Sequence, residues 1–365
     1  MPADFQRAVQ VASQKLIHLV TTYPNLMPSF TENGKWRLQE AGWTNWCEGF
    51  LGGALWLIYL LTGERRFREY AEHYSRLIEV RKTDRTVHDL GFLFLPTWGR
   101  WYTIDGDLRA QEVLIQAGRT LAERYQSPGG YLCSFQGAHS LYIDIMMNVP
   151  LVFEAAQLSK DDKLFEVALR HCQTTQRYLV RGDFSTAHEG IFDPETGRFL
   201  RYQTQQGWRD DSTWARGHVW ELYGFTVAYR YSQAAPFLNT AQGLADYYLL
   251  HTPEHGIPPN DWDEPNPLYP YESSAAAVAA SGLLSLAACT TDQLRSRVYR
   301  EAAERILHTL CSDEFLATDP QWEGILRHAI YHLPAGVGVD ESTIWGDYFF
   351  LEAIWRVLNE NCASA

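Results

Sequence analysis

Ionisable side chains are scarce in the most apolar segments of this chain. The few present gather near the starts of those segments: His88 and Asp89, Asp144, Arg216 and His218, and Asp347. An acid at the start of an apolar helix has an ordinary structural use. It caps the helix or joins a buried salt bridge, and the helix dipole stabilises its charge. Several such groups converging on one cavity point instead to a site with shifted pKa values. Two carboxyls, one kept protonated by burial or by its neighbour, are the usual apparatus for splitting glycosidic bonds. Asp89 and Asp144 are the candidates for that pair.

Helices must position them. The chain repeats a rhythm rather than an identity. Each unit has a small-residue-rich aromatic segment, a short polar turn and a longer amphipathic segment, and the units start near Trp46, His88, Ile143, Ser212, Ser273 and Ile344. Segments of the first kind are apolar nearly all round and should be buried; their Gly and Ala let helices approach closely. Segments of the second kind carry charges at helical spacing and should face solvent. Strand alternation is scarce. Six buried helices, each paired with an exposed one, predict an all-α (α/α)6 barrel of six helical hairpins. The N-terminal helix, Phe5 to Tyr23, is expected to cover the C-terminal inner helix. An open α-solenoid is the alternative; closure is favoured because that last helix needs a cover. The long connections before the inner helices should line one mouth of a central cavity. No Pro/Gly/Ser-rich linker divides the chain, so residues 1–365 read as one catalytic domain.

Composition narrows the partners. The chain has 365 residues, 46% of them hydrophobic, enough for a sizeable core. A net charge of −13 argues against nucleic acid. It also means that an acidic ligand would have to be met by local donors. The N-terminus lacks a basic region followed by an apolar one, and no run of 18 apolar residues exists, so neither a secretory signal nor a membrane span is expected. Six scattered cysteines without a CxxC pair read as reduced thiols in a cytoplasmic protein. The 13 Trp, 20 Tyr and 17 Phe suit stacking on sugar rings, although such residues also fill cores.

Five strings carry a resemblance: HDLGF from His88, DIMMNVPL from Asp144, QGWRDDSTWARG from Gln206, SSAAAVAASGLL from Ser273 and IWGDYFFLEA from Ile344. In this order, and over nearly the whole chain, they resemble the successive signatures of the unsaturated glucuronyl hydrolases, which are (α/α)6 barrels. The unsaturated rhamnogalacturonyl hydrolases share the barrel and are the nearest alternative within this chemistry.

The resemblance implies hydration of a C4=C5 vinyl ether in the non-reducing-end uronate of an oligosaccharide left by a polysaccharide lyase. No metal or organic cofactor is needed. It assigns the acid and base role to Asp144 and a supporting role to Asp89. His188, in STAHEG, matches a histidine near the substrate. Gln206 and Arg216 match pocket-lining positions, although Arg216 can instead pair with Asp210 or Asp211. Trp46, Trp214 and Trp220 match aromatic wall positions, and each can equally be core. Ser342 sits where the family gathers the uronate carboxylate. Gln205, His218 with Val219, and Glu272 depart from the usual pattern, which leaves substrate preference open.

Two other functions stay in view. An epimerase on the same barrel would need histidine pairs for proton shuttling, and a non-catalytic sugar-binding barrel would make both aspartates dispensable. His328 and His332 in HAIYH resemble half a zinc motif but lack its glutamate and a third ligand, so they read as structural or rim residues. The AGVGVD stretch, with Gly336 and Gly338, is too short to be a nucleotide loop.

Overall fold

The structure, a computed structural model, describes residues 1–40 and 46–359. Its helices follow the two kinds of segment. The inner helix α2 (Gly49–Thr62) is buried from Gly49 through Ile58, and α11 (Ser273–Cys289) from Ser273 through Ala287. The outer helix α3 (Arg65–Leu77) buries only Phe67, Ala71, Tyr74 and Ser75, and carries an Arg68–Glu72 pair one turn apart at 2.9 Å. The polar turns do specific work. Asp107, Asp161 and Asp292 accept backbone amides at the starts of the outer helices α6 (Leu108–Ala122), α8 (Asp162–Tyr178) and α12 (Gln293–Leu310). Gly63 and Gly106 end the preceding inner segments with φ of 72° and 65°, where a side chain would be strained.

The inner ring closes into an (α/α)6 barrel. Helix α13 (Ile344–Leu358) packs on both α2 and α11, and α11 packs on α9 (Ala215–Ser232). The outer helix α10 (Ala235–His251) covers α9. The helix α1 (Ala3–Thr22) completes the outer ring: it packs on α2, and its Arg7 and Lys15 bond the segment after α12 at Cys311, Asp313 and Asp319. Among the described residues no helix is long and apolar enough to cross a membrane.

Two inner segments depart from the expected single helix. The second is α4 (Leu90–Phe94), a π turn at Leu95–Gly99 and α5 (Arg100–Asp105). Pro96, which has no N–H to donate, sits in that turn. The third begins as a 3-10 turn, Ile143–Met147, before α7 (Pro150–Ser159) starts on a proline. The connections also hold more strand than alternation predicts. Antiparallel ribbons β1–β2 (Leu26–Glu32, Lys35–Glu40), β3–β4 (Tyr125–Gln126, Tyr131–Leu132) and β8–β9 (Ala329–His332, Val337–Glu341) precede inner segments. So does the three-stranded sheet of β5 (Ser140–Tyr142), β6 (Glu189–Phe192) and β7 (Phe199–Gln203).

Because each inner helix is followed by an outer helix returning antiparallel to it, all inner helices run the same way. Their N-terminal ends share one mouth with the ribbons. An aromatic plug closes the axis below it. Phe92 lies 5.3 Å from Trp46, 5.5 Å from Phe50 and 5.2 Å from Trp220 between ring centroids, and Phe349 lies 5.5 Å from Trp220. The structure places Trp220 in the core, buried against Phe92 and Phe349, rather than on an open wall. Replacing it with alanine is expected to cost about 3–5 kcal/mol of stability. A urea titration of Trp220→Ala checks this; a variant as stable as the parent would remove the plug from the core.

Candidate active site

Asp89 and Asp144 reach the same mouth from two helix starts. Asp89 occupies the cap position of α4, yet its side chain makes no capping bond. Asp144 lies in the first turn of the 3-10 segment, whose leading amide, Ile143 N–H, donates to the His188 carbonyl at 2.9 Å. Asn148 staples the two starts together: its Oδ1 accepts the Phe92 amide at 2.9 Å and its Nδ2 donates to the Asp144 carbonyl at 3.1 Å. Gly91 permits the approach, since a Cβ there would stand 2.4 Å from the Asn148 Cα.

His88 lies between the carboxylates. Its Nε2 is 3.4 Å from Asp89 Oδ1 and 3.2 Å from Asp144 Oδ1, close but without hydrogen-bond alignment. Its Nδ1 accepts the Phe135 amide at 3.1 Å, which puts the ring proton on Nε2, facing the acids. Burial opposes a charge on His88, but Asp89 and Asp144 outweigh it and raise its pKa. Full protonation would set two N–H groups against each other at Nδ1, so the neutral Nε2–H form fits the geometry. Burial, with Asp144 adding to it and His88 opposing, pushes Asp89 up to about 6. Asp144 is the more open of the two, its side chain 19% exposed against 7%.

The opposite wall is built on His188. Its Nδ1 accepts the Gln205 amide at 3.1 Å, leaving the proton on Nε2, and its ring lies 4.6 Å from that of Trp214. Burial pulls its pKa down to about 4, so it is a neutral donor near pH 7. Arg216 runs behind this wall. Its guanidinium donates to the Ile330 carbonyl, to the Tyr331 carbonyl at 2.6 Å and to Gln206 Oε1 at 2.6 Å, and stacks 4.6 Å from the Trp214 ring. Its charge partner is Glu272, at 3.7 Å, rather than Asp210 or Asp211. Asp210 instead accepts the Thr204 amide, and Asp211 pairs with Arg209. Trp46 is half-buried on the plug, with its Nε1 donating to the Tyr331 hydroxyl at 3.3 Å.

Ser342 does not join this group. Its hydroxyl, expected to gather a carboxylate, is buried here, where it donates to the Leu326 carbonyl and accepts from Trp322 Nε1 at 2.7 Å. His328 and His332 do not converge either: His328 pairs with Asp340 at 2.6 Å, while His332 accepts the Ala335 amide at 3.2 Å. Asp347 is scaffold, accepting the Ile325 and Leu326 amides at 2.9 Å each.

Several site residues escape a reading of the sequence. Phe135 is exposed and stacks at 5.7 Å on His88, and Tyr142 stands edge-on to it at 5.7 Å. Phe135 lies in the turn between β4 and β5 and Tyr142 at the end of β5, both without helical periodicity, so spacing gave no signal for them. Glu272, noted only as a departure from pattern, caps α11 through the Ala275 amide and faces Arg216. Among the described residues, His88, Asp89 and Asp144 also offer donor atoms within 4.8 Å of one another, close enough to hold a cation. Ligation there would require His88 to give up the Nε2 proton that the Phe135 amide places on it.

Two converging carboxyls, one buried and one partly open, at the aromatic mouth of an (α/α)6 barrel fit a carbohydrate-cleaving enzyme. The model of Glycosyl Hydrolase Family 88 matches residues 19–336. An unsaturated glucuronyl hydrolase of Bacillus sp. (strain GL1) is 34% identical, with 86% of each chain covered. An unsaturated chondroitin disaccharide hydrolase of Streptococcus agalactiae serotype III (strain NEM316) is 33% identical over 86% of this chain and 81% of that one. The crystal structure of an unsaturated glucuronyl hydrolase specific for heparin superposes with a TM-score of 0.92, at 29% identity and 99% coverage of both chains. The chain belongs to Glycosyl Hydrolase Family 88, and it is a glycoside hydrolase.

The raised pKa of Asp89 has a consequence for stability. Its carboxyl is at home protonated in the fold and ionised in the unfolded chain, so the fold loses stability as pH rises from 3.8 through about 6. Asp89→Asn is expected to be more stable than the parent at about pH 8, by about 3 kcal/mol, and to lose that advantage at about pH 4. Urea midpoints at the two pH values check this; an equal difference at both would show that Asp89 is not a strained acid.

Proposed function

We propose that Asp144 is the proton donor and then the base, that Asp89 and His88 set its proton supply, and that His188 orients the sugar. The enzyme releases the unsaturated uronate from the non-reducing end of lyase-generated oligosaccharides. The observation that carries the assignment is the His88 bridge, with one nitrogen within 3.4 Å of both carboxylates. It brings two acids of unequal exposure to one point, the more open of them Asp144.

In this reading Asp144 protonates C4 of the vinyl ether, and positive charge develops at C5 and the ring oxygen. Water adds to C5 as the Asp144 carboxylate takes its proton. The hemiketal then opens by cleavage of the C5–ring oxygen bond, giving a ketone at C5. The hemiacetal left at C1 collapses to an aldehyde and expels the remaining saccharide as an alcohol. Asp144 thus regains from water the proton it gave to C4, and Asp89, whose pKa burial pushes up to about 6, is the neighbouring acid that tunes it. The His188 Nε2–H gives a neutral donor to a ring hydroxyl. Phe135, which is exposed, offers a face to the next sugar along, backed edge-on by the buried Tyr142. Five thiols free among the described residues support a cytoplasmic setting.

Unsaturated disaccharides from chondroitin, hyaluronan, heparin and gellan lyase digests are the test substrates, and the ultraviolet absorbance of their double bond is the readout. Loss of absorbance is expected with at least one; none with all four removes the hydrolase assignment. Asp144→Asn should fold normally and lose about 10²–10⁴-fold in kcat, the usual share of general acid–base catalysis. A fully active variant would take Asp144 out of its role. Because the three donor groups could hold a cation, dialysis against a chelator is informative: the rate should not change, and a rate lost to chelation and restored by a divalent ion would replace proton transfer with metal chemistry.

A further inference from the structure

Among the described residues, Trp208 is the tryptophan left exposed, at 42%; the others are buried or half-buried. A single exposed apolar ring on a surface is ordinary and carries no meaning by itself. What sets Trp208 apart is where it stands and how firmly it is held there.

It stands on the rim of the mouth, just outside the His188 wall. The Gln205 amide donates to His188, and the Gln206 side chain accepts from Arg216. Gly207 then packs on the wall itself, since a Cβ there would stand 3.3 Å from the Trp214 Cβ. One residue further, the chain presents Trp208 to solvent. Its backbone is pinned from beneath. Asp261, fully buried, accepts the Trp208 amide at 2.9 Å and the Ser212 hydroxyl at 2.6 Å, and Ser212 Oγ accepts the Arg209 amide at 2.9 Å. Asn260 Nδ2 holds the Gln206 carbonyl at 3.2 Å. Arg209 lies over one face of the ring, 4.4 Å from its centroid, and is itself paired with Asp211 at 3.1 Å. A buried carboxylate and an ion pair thus fix an apolar ring in water, where the fold gains little from it. A pre-ordered ring with an apolar face is what stacking on a sugar requires, because no ordering remains to oppose binding.

Phe135, 56% exposed, is the other open ring of this mouth, on the His88 side. Ring contacts run between the two walls, from Phe135 to Tyr142 at 5.7 Å, Tyr142 to His188 at 5.3 Å and His188 to Trp214 at 4.6 Å. Phe135 lies directly on His88, beside the aspartates, whereas Trp208 is separated from His188 by Trp214 and Gly207. Trp208 is therefore the more distant of the two from the reacting sugar.

We propose that Trp208 is a platform for a sugar farther along the chain than the one Phe135 meets, so that it favours substrates longer than a disaccharide. The proposal rests on the hydrolase reading above and extends it to substrate length.

Unsaturated di- and tetrasaccharides from a partial lyase digest of the polysaccharide that the parent cleaves best are the paired probes. In Trp208→Ala, the KM for the tetrasaccharide should rise about fivefold relative to that for the disaccharide, the order expected of one stacked ring. Trp208→Phe should restore most of the difference. Thermal unfolding checks that both variants fold, as an exposed position should allow. A ring of purely structural use would move both constants alike, so an unchanged ratio would overturn the proposal. If the parent cleaves no lyase product, the hydrolase reading fails by itself. The same ratio, read as Kd by calorimetry with the hyaluronan pair, then decides the platform; equal Kd values for the two lengths in the parent, or no binding, would overturn it.

Discussion

The close approach of two helix starts is the constraint on which the site depends. At Gly91 the chain beginning α4 comes so near to Asn148 that a single methyl would not fit. Asn148 then spends both ends of its amide holding the segments together. Two carboxylates and an imidazole are thereby fixed in a space from which water is largely excluded. Exclusion is what matters for the chemistry. An aspartate in water is ionised far below neutral pH, whereas Asp89, buried beside a second acid, is pushed up to about 6.

The same logic governs the arginine behind the site. Arg216 invites assignment to the uronate carboxylate, yet its guanidinium is already committed to two carbonyls, a glutamine and Glu272. Burying that charge without Glu272 would be costly. What it provides is rigidity: it fixes Gln206 and the Trp214 ring, and Trp214 in turn supports His188. The guanidinium is thus committed to the protein, and His188, which it supports through Trp214, is neutral near pH 7.

The sequence made the barrel legible because its two kinds of segment differ so strongly. The stretch from Ser273 to Ala287 has no polar face and no place but the interior. The aspartates were legible for a related reason, since charge in such segments is conspicuous. What was not legible lies where periodicity fails. Phe135 sits in a turn and Tyr142 at the end of a short strand, and their contact with His88 depends on the loop geometry around Ser134 rather than on spacing. Trp220 and Ser342 show the converse. Both stand close to the site in sequence pattern, but one ring is closed in by the plug and one hydroxyl is already bonded twice. A motif specifies residue types; only packing decides which atoms remain free.

Helix polarity sorts the charges along the barrel axis. Acids collect at the N-terminal ends of the inner segments: Glu48, Asp89, Asp144, Glu272 and Asp347. Arginines collect toward the opposite ends: Arg100, Arg230 and Arg356. These lie where the aligned peptide dipoles favour their sign, while Arg216 at the start of α9 and Glu352 inside α13 are exceptions held by partners of opposite charge. At the acid end, the dipoles lower the cost of a carboxylate while burial raises it. The balance leaves Asp89 between the two limits, an acid that can both hold and give up a proton near neutral pH. A barrel whose inner helices ran in alternating directions would mix the signs at each mouth and neutralise the pair with nearby arginines. Uniform helix direction, a property of the hairpin repeat, is thus what brings Asp89 and Asp144 to one mouth.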